Sequence, residues 1–208
     1  YMDKLLANGC SHMEGSEANT NVCKMFAKEL QMKYINIAKG GGSNKRILRT
    51  TIEYIEEFGK PDFVLIGWTT HERFEFSFDG VLQDYTLSKQ SDNEDLQKFY
   101  RYADLHLADW EIGREETVLC QYLLQLYLES NSINYLYCNM FNSIPKDYQS
   151  LLWNKINKDK YYLHNTSLIE EAMIEFTEGW SDTKHAVDPK IHESMTKKLL
   201  DYYRRHYV

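Results

Sequence analysis

Short apolar runs and helical stripes alternate along the first third of the chain. Leu5-Leu6-Ala7 is a brief continuous apolar run, the pattern a parallel strand shows when both its faces are covered. Residues 20–31 carry Val22, Phe26 and Leu30 at helical spacing, with Asn19 or Thr20 placed to cap them. Tyr34-Ile35-Asn36-Ile37-Ala38 predicts a second strand. Gly40-Gly41-Gly42-Ser43-Asn44 breaks the chain. A helix striped by Ile47, Leu48, Thr51, Ile52 and Ile55 follows, and Gly59-Lys60-Pro61 stops it. Phe63-Val64-Leu65-Ile66-Gly67 predicts a third strand. The order β-α-β-α-β implies a parallel sheet with right-handed crossovers and helices on both faces.

Residues 70–113 interrupt this alternation. Phe74-Glu75-Phe76-Ser77-Phe78 alternates with period two ahead of Asp79-Gly80, a hairpin signal. Its aromatics read as packing for the insertion rather than as a binding platform. Residues 94–109 look helical, and 115–129 form a firmer helix striped by Leu119, Tyr122, Leu123 and Leu126. Residues 133–138 predict a fourth strand. Between 142 and 167 loops and short helices are expected, with a short fifth strand at Tyr161-Tyr162-Leu163. A helix over 168–176 precedes a last one that opens at Pro189, a favoured first-turn residue.

Composition removes several function classes. A chain of 208 residues with 43% hydrophobic positions holds one domain with a real core and is not a disordered chain. A net charge of −7 disfavours nucleic acid as a partner, because phosphate binding needs a basic face. There is no apolar run long enough for a membrane span. Asp3 and Lys4 lead into the first strand without a signal-peptide pattern, so a cytoplasmic location is expected. Cys10, Cys23, Cys120 and Cys138 fall on different elements, as reduced thiols do, rather than in a disulfide or zinc pattern.

Candidate chemistry collects where strands end. Three chain breaks, Gly9–His12, Gly40–Asn44 and Gly67–Thr70, fall at the carboxyl ends of the first three strands. In an open parallel sheet such loops converge on one crevice. Ser11 sits in the first break. Far along the chain, Asp182 precedes His185 by three residues, just ahead of the last helix. A serine nucleophile needs a base, and the base needs a group that fixes its tautomer. Ser11, His185 and Asp182 supply those types, with His192 as the reserve base. His185, Asp188 and His192 do not have the spacing of the common short zinc motifs, so no metal is expected. The glycine run at 40–42 lacks the Lys-Ser/Thr of a phosphate-binding P-loop.

These motifs resemble the SGNH (GDSL-like) hydrolase superfamily, particularly divergent phage and bacterial members that begin with Gly-Cys-Ser. Asn8-Gly9-Cys10-Ser11 matches the first family block, and Asn36 through Gly41, with Ser43-Asn44 after it, matches the second. Gly67-Trp68-Thr69 matches the third in part, and Asp182 with His185 matches the fifth. The resemblance implies Ser11 as nucleophile, His185 as base and Asp182 as its orienting carboxylate. It implies an oxyanion site from the N–H groups of Ser11 and Gly41, and no cofactor. Thr69 stands where the family has an oxyanion-binding asparagine, and its hydroxyl substitutes only in part. Cys10 replaces an acidic residue, and Ala186 replaces a proline after the histidine.

Pattern and resemblance together predict a single domain over 1–208. It is a three-layer, flavodoxin-like α/β sandwich with a five-stranded parallel sheet in the order 2-1-3-4-5. Residues 70–113 are expected as a lid-like insertion bordering the Ser11 crevice. His12, Ser43, Asn44, Trp68, His71 and Arg73 are the candidate pocket residues. The expected function is a serine ester hydrolase for short-acyl esters, O-acetylated carbohydrate among them. A non-catalytic binding protein of the same fold and a sugar O-acyltransferase are the rival readings.

Overall fold

Alternate positions of each central strand point to opposite faces, and each face has its own helices. The computed structural model describes residues 2–15, 20–107, 110–141, 144–145, 147–182 and 185–208. Strands β1 (Lys4–Gly9), β2 (Lys33–Asn36), β3 (Phe63–Trp68), β6 (Asn134–Asn139) and β7 (Tyr161–Tyr162) form one sheet in the order β2-β1-β3-β6-β7. All its pairings are parallel. Numbered within the sheet this is 2-1-3-4-5, the expected order.

Leu5, Ala7, Phe63, Leu65, Leu136 and Cys138 face one helical layer. It holds α1 (Ser11–Glu14), α2 (Val22–Glu29), α6 (Leu168–Glu175) and α7 (Pro189–Tyr207). Leu6, Val64, Ile66, Trp68, Tyr135 and Tyr137 face the other layer, α3 (Asn44–Phe58) and α5 (Trp110–Ser130). This period-two division is what continuous apolar strands require. Burying such side chains contributes roughly 1.5–3 kcal/mol each.

The helix boundaries differ from the sequence pattern in three places. Asn21 caps α2 by accepting from Lys24 N, while Asn19 lies outside the described residues. The helix of the insertion, α4, runs over Glu94–His106, and positions 108 and 109 lie outside the described residues. Helix α5 begins at Trp110, five residues ahead of its expected start, so the insertion closes directly into a helix. Gly113 permits this: a Cβ there would stand 2.4 Å from the His71 carbonyl oxygen.

Within the insertion, β4 (Phe74–Phe78) and β5 (Val81–Tyr85) form the expected antiparallel hairpin. Phe74, Phe76, Tyr85, Phe99 and Tyr100 build a small aromatic core under it. Two ion pairs pin the hairpin to the domain. Arg49 Nη2 of α3 meets Glu75 Oε1 at 2.6 Å, and Lys39 Nζ meets Asp84 Oδ2 at 3.0 Å.

Among the described residues no helix is long and apolar enough to cross a membrane. The four cysteines are free and buried, and burial pushes the thiols of Cys120 and Cys138 up to about 12.

Candidate active site

Strand β1 ends in a buried asparagine that fixes where the following turn lies. Asn8 Nδ2 is 2.9 Å from both Thr50 Oγ1 and Thr51 Oγ1 of α3, and Asn8 Oδ1 accepts from Gly9 N at 2.8 Å. Gly9 stands beside Gly67 in register. Both must be small: a Cβ on either would lie 2.5 Å from Met13 Cγ. The chain therefore turns sharply at Cys10 into the single helical turn α1, headed by Ser11. As the first residue of that turn, Ser11 has no intrahelical acceptor for its N–H.

The loop after β2 is laid along the same end of the sheet. Ile37 N donates to Ala7 O at 3.0 Å and Lys39 N to Gly9 O at 3.1 Å, extending the ladder past the strand. Gly40 N donates to Glu14 Oε2 at 2.8 Å. Gly41 adopts a left-handed φ of +73°, which turns the chain toward Ser11 at little cost for glycine. Ser43 then caps α3 by accepting from Arg46 N at 3.1 Å.

His185 arrives on a strap ahead of α7. Trp180 and Ala186 form an isolated antiparallel bridge, and His185 O accepts from Ser181 N at 2.8 Å. Ser181 Oγ accepts from His185 N at 3.1 Å. Buried His192 on α7 donates from Nε2 to Ala186 O at 3.0 Å, holding the strap from beneath. These contacts bring His185 Nε2 to 2.7 Å from Ser11 Oγ. The His185 ring stacks on His12, with centroids 4.6 Å apart and planes at 26°. His12 in turn packs edge-on to Phe141 at 5.0 Å. Burial above all, then the nearby His185, Arg73 and His192, pulls the His12 pKa down to about 3, so His12 is neutral near pH 7.

Ser11, Gly41 and His185 line a cavity of about 420 Å³. The insertion supplies its other walls: Thr70, Glu72 and Arg73 from before the hairpin, and Thr86 and Leu87 from after it. The Thr70 hydroxyl donates to Glu72 Oε2 at 3.2 Å.

Several sequence candidates lie elsewhere. Asp182 is exposed and makes no hydrogen bond or ion pair among the described residues, so no contact joins it to the His185 ring. Thr69 is buried and does not line the cavity; its neighbour Thr70 does. The Asn44 side chain fixes Thr69 by accepting from its N at 2.9 Å and donating to its O at 3.1 Å. Trp68 faces the core edge-on to Tyr137, because alternation along β3 turns it away from the crevice. Ser43 is consumed as the α3 cap. Asn44 and His71 line a neighbouring cavity of about 190 Å³ against α5 instead. Arg73 lines both cavities. The reserve base His192 is a strap anchor. Among the described residues no group of three or more His, Cys, Asp or Glu converges as a metal site would require.

The sheet order and the two helical layers give the fold shared by several solved structures of SGNH and GDSL-like hydrolases. The structure is similar to the crystal structure of TesA (TM-score 0.56, 10% identity, covering 98% of this chain and 99% of that one). It is also similar to an acetyl xylan esterase, Est2A, from the rumen bacterium Butyrivibrio proteoclasticus (TM-score 0.53, 14% identity, 99% and 64%). A third relative is a lipolytic protein of the G-D-S-L family from Desulfitobacterium hafniense (TM-score 0.50, 13% identity, 96% and 98%). At the level of sequence, residues 8–157 match a family described as "Family of unknown function (DUF6071)", and the chain belongs to that family. No curated protein matches it.

Proposed function

We propose that the protein is a serine ester hydrolase. The observation that carries this reading is the 2.7 Å contact between Ser11 Oγ and His185 Nε2 in the wall of a cavity at the carboxyl end of the sheet. With the Nδ1–H tautomer, Nε2 accepts the serine proton as Oγ attacks the ester carbonyl carbon. The tetrahedral oxyanion is held by the N–H groups of Ser11 and Gly41. His185 then gives its proton to the leaving alkoxide. Water, deprotonated by the same ring, attacks the acyl-enzyme carbonyl, and the ring returns that proton to Ser11 Oγ as the acyl–oxygen bond breaks, releasing the acid and free Ser11.

Asp182 enters the proposal as the carboxylate of the base-bearing strap. The stacked, neutral His12 ring and the Ser181 hydroxyl both help to hold His185 in this structure. The size of the cavity and its threonine hydroxyls favour a short acyl group on a polar alcohol. An acetyl xylan esterase among the structural relatives supports the same class, with O-acetylated carbohydrate as the candidate substrate.

The test is hydrolysis of 4-nitrophenyl acetate by the wild type, Ser11→Ala and His185→Gln. Each variant is expected to lose about 10³-fold or more in kcat. Equal turnover by all three would leave a non-catalytic binding protein as the reading.

A further inference from the structure

Among the described residues, the cavity beside Ser11 carries a cation that no carboxylate pairs. Arg73 lines it and is held over the Phe141 ring, with the guanidinium carbon 5.4 Å from the centroid. That contact fixes the guanidinium without neutralising it. Arg73 Nη1 is buried and lacks an acceptor. No carboxylate forms an ion pair with Arg73 among the described residues, in a chain where Asp and Glu outnumber Lys and Arg by 31 to 24. The adjacent carboxylate, Glu72, also lines the cavity, but it accepts the Thr70 hydroxyl rather than Arg73. Elsewhere on the same insertion the charges do pair: Glu75 takes Arg49, and Asp84 takes Lys39. A half-buried guanidinium with an unsatisfied N–H is costly to keep. It is well matched to a planar or tetrahedral anion, which it binds with charge-assisted bonds.

We propose that Arg73 is the specificity residue for an anionic group, carboxylate or phosphate, on the ester that Ser11 attacks. The inference rests on the serine-hydrolase reading for the word ester; the anion site itself rests on Arg73 alone. Glu72 sets a limit on the site, because its charge opposes the anion and so weakens binding.

Three activated esters test it: neutral 4-nitrophenyl acetate, mono-(4-nitrophenyl) glutarate with its anion on the acyl side, and 4-acetoxy-3-nitrobenzoate with its anion on the leaving group. In Arg73→Gln the ratio of kcat/KM on the preferred anionic ester to that on the neutral one is expected to fall about tenfold or more, mainly through KM. Arg73→Lys should recover part of that ratio, and Glu72→Gln should raise it. Equal losses on all three esters would make Arg73 an oxyanion or structural residue and overturn the proposal, as would an unchanged ratio. A second arm does not need catalysis. Calorimetric titration of Ser11→Ala with glutarate and with glycerol 3-phosphate should show binding that Ser11→Ala/Arg73→Gln lacks, and the stronger titrant identifies the anion. If no ester is turned over in a Ser11-dependent way, the hydrolase reading fails while Arg73-dependent binding still upholds the anion site. Absence of that binding with both titrants overturns it.

Discussion

Ser11 Oγ and His185 Nε2 lie 2.7 Å apart although 174 positions separate them in the chain. Two independent pieces of local structure create that distance. One is the turn after β1, fixed by Asn8 and the Gly9–Gly67 pair. The other is the strap from Trp180 to Ala186, held by its bridge and by His192. Activity should therefore be sensitive to groups that never touch substrate.

His12 is the clearest such group. Its ring stacks on His185 and is buried against Phe141. His12→Ala should lower kcat on 4-nitrophenyl acetate about 10- to 100-fold with little change in KM, because the base loses its fixed plane. His12→Phe keeps a flat ring and should recover most of kcat. A KM effect with kcat intact would instead make His12 a substrate contact.

Acid should unfold the protein through its buried histidines. His12 has a folded pKa of about 3 against an ordinary value near 6.5, chiefly from burial. A depressed pKa means that the unfolded chain binds the extra proton. Stability is then complete above pH 6.5 and is lost as pH falls toward 3. For His12 the loss between pH 7 and pH 5 is about 2 kcal/mol by linkage. Burial lowers His71 and His192 in the same sense. Denaturant melts at pH 7 and pH 5 should show the loss, and His12→Phe should show it reduced by about that amount. An identical pH dependence in the variant would contradict the assignment.

Asp182 is exposed and joined to nothing among the described residues. Removing a bonded triad carboxylate costs roughly 10⁴-fold in kcat. Asp182→Asn should cost no more than about tenfold, far less than His185→Gln. A loss approaching that of His185→Gln in steady-state kinetics would show that the carboxylate reaches the ring in the working enzyme.

The hairpin wall depends on Arg49. Glu75 is buried beneath its 2.6 Å ion pair, while the Arg49 side chain is partly exposed. Arg49→Gln leaves the carboxylate without its cation and should cost about 1–2 kcal/mol, a value discounted for solvent screening. KM for small esters should rise in the same variant, since Thr70, Arg73, Thr86 and Leu87 share that wall with Ser11. A stability loss without a change in KM would separate the hairpin from substrate binding.

Much of the fold was legible because its signals are local and periodic. Continuous apolar runs at 5–7 and 63–67 mark strands covered on both faces, and both lie in the centre of the sheet. The glycine breaks mark the ends where strands deliver loops. Of the candidate site, Ser11 and His185, which the structure brings together, each sit next to a recognisable break in the sequence. What failed was facing. Near the end of β3 a shift of one residue exchanges core for crevice, so Thr70 rather than Thr69 lines the cavity, and Trp68 is core. The stack of His12 on His185 and the anchoring of the strap by His192 are long-range contacts with no periodic trace. The single turn α1 is too short to show a stripe.

Covalent capture tests the central claim most directly. Purified protein is treated with a fluorophosphonate probe, digested, and the adduct is located by peptide mass spectrometry. The serine–histidine reading expects one adduct on Ser11, absent in Ser11→Ala and strongly slowed in His185→Gln. An unlabelled wild type, or labelling that persists in Ser11→Ala, would contradict it.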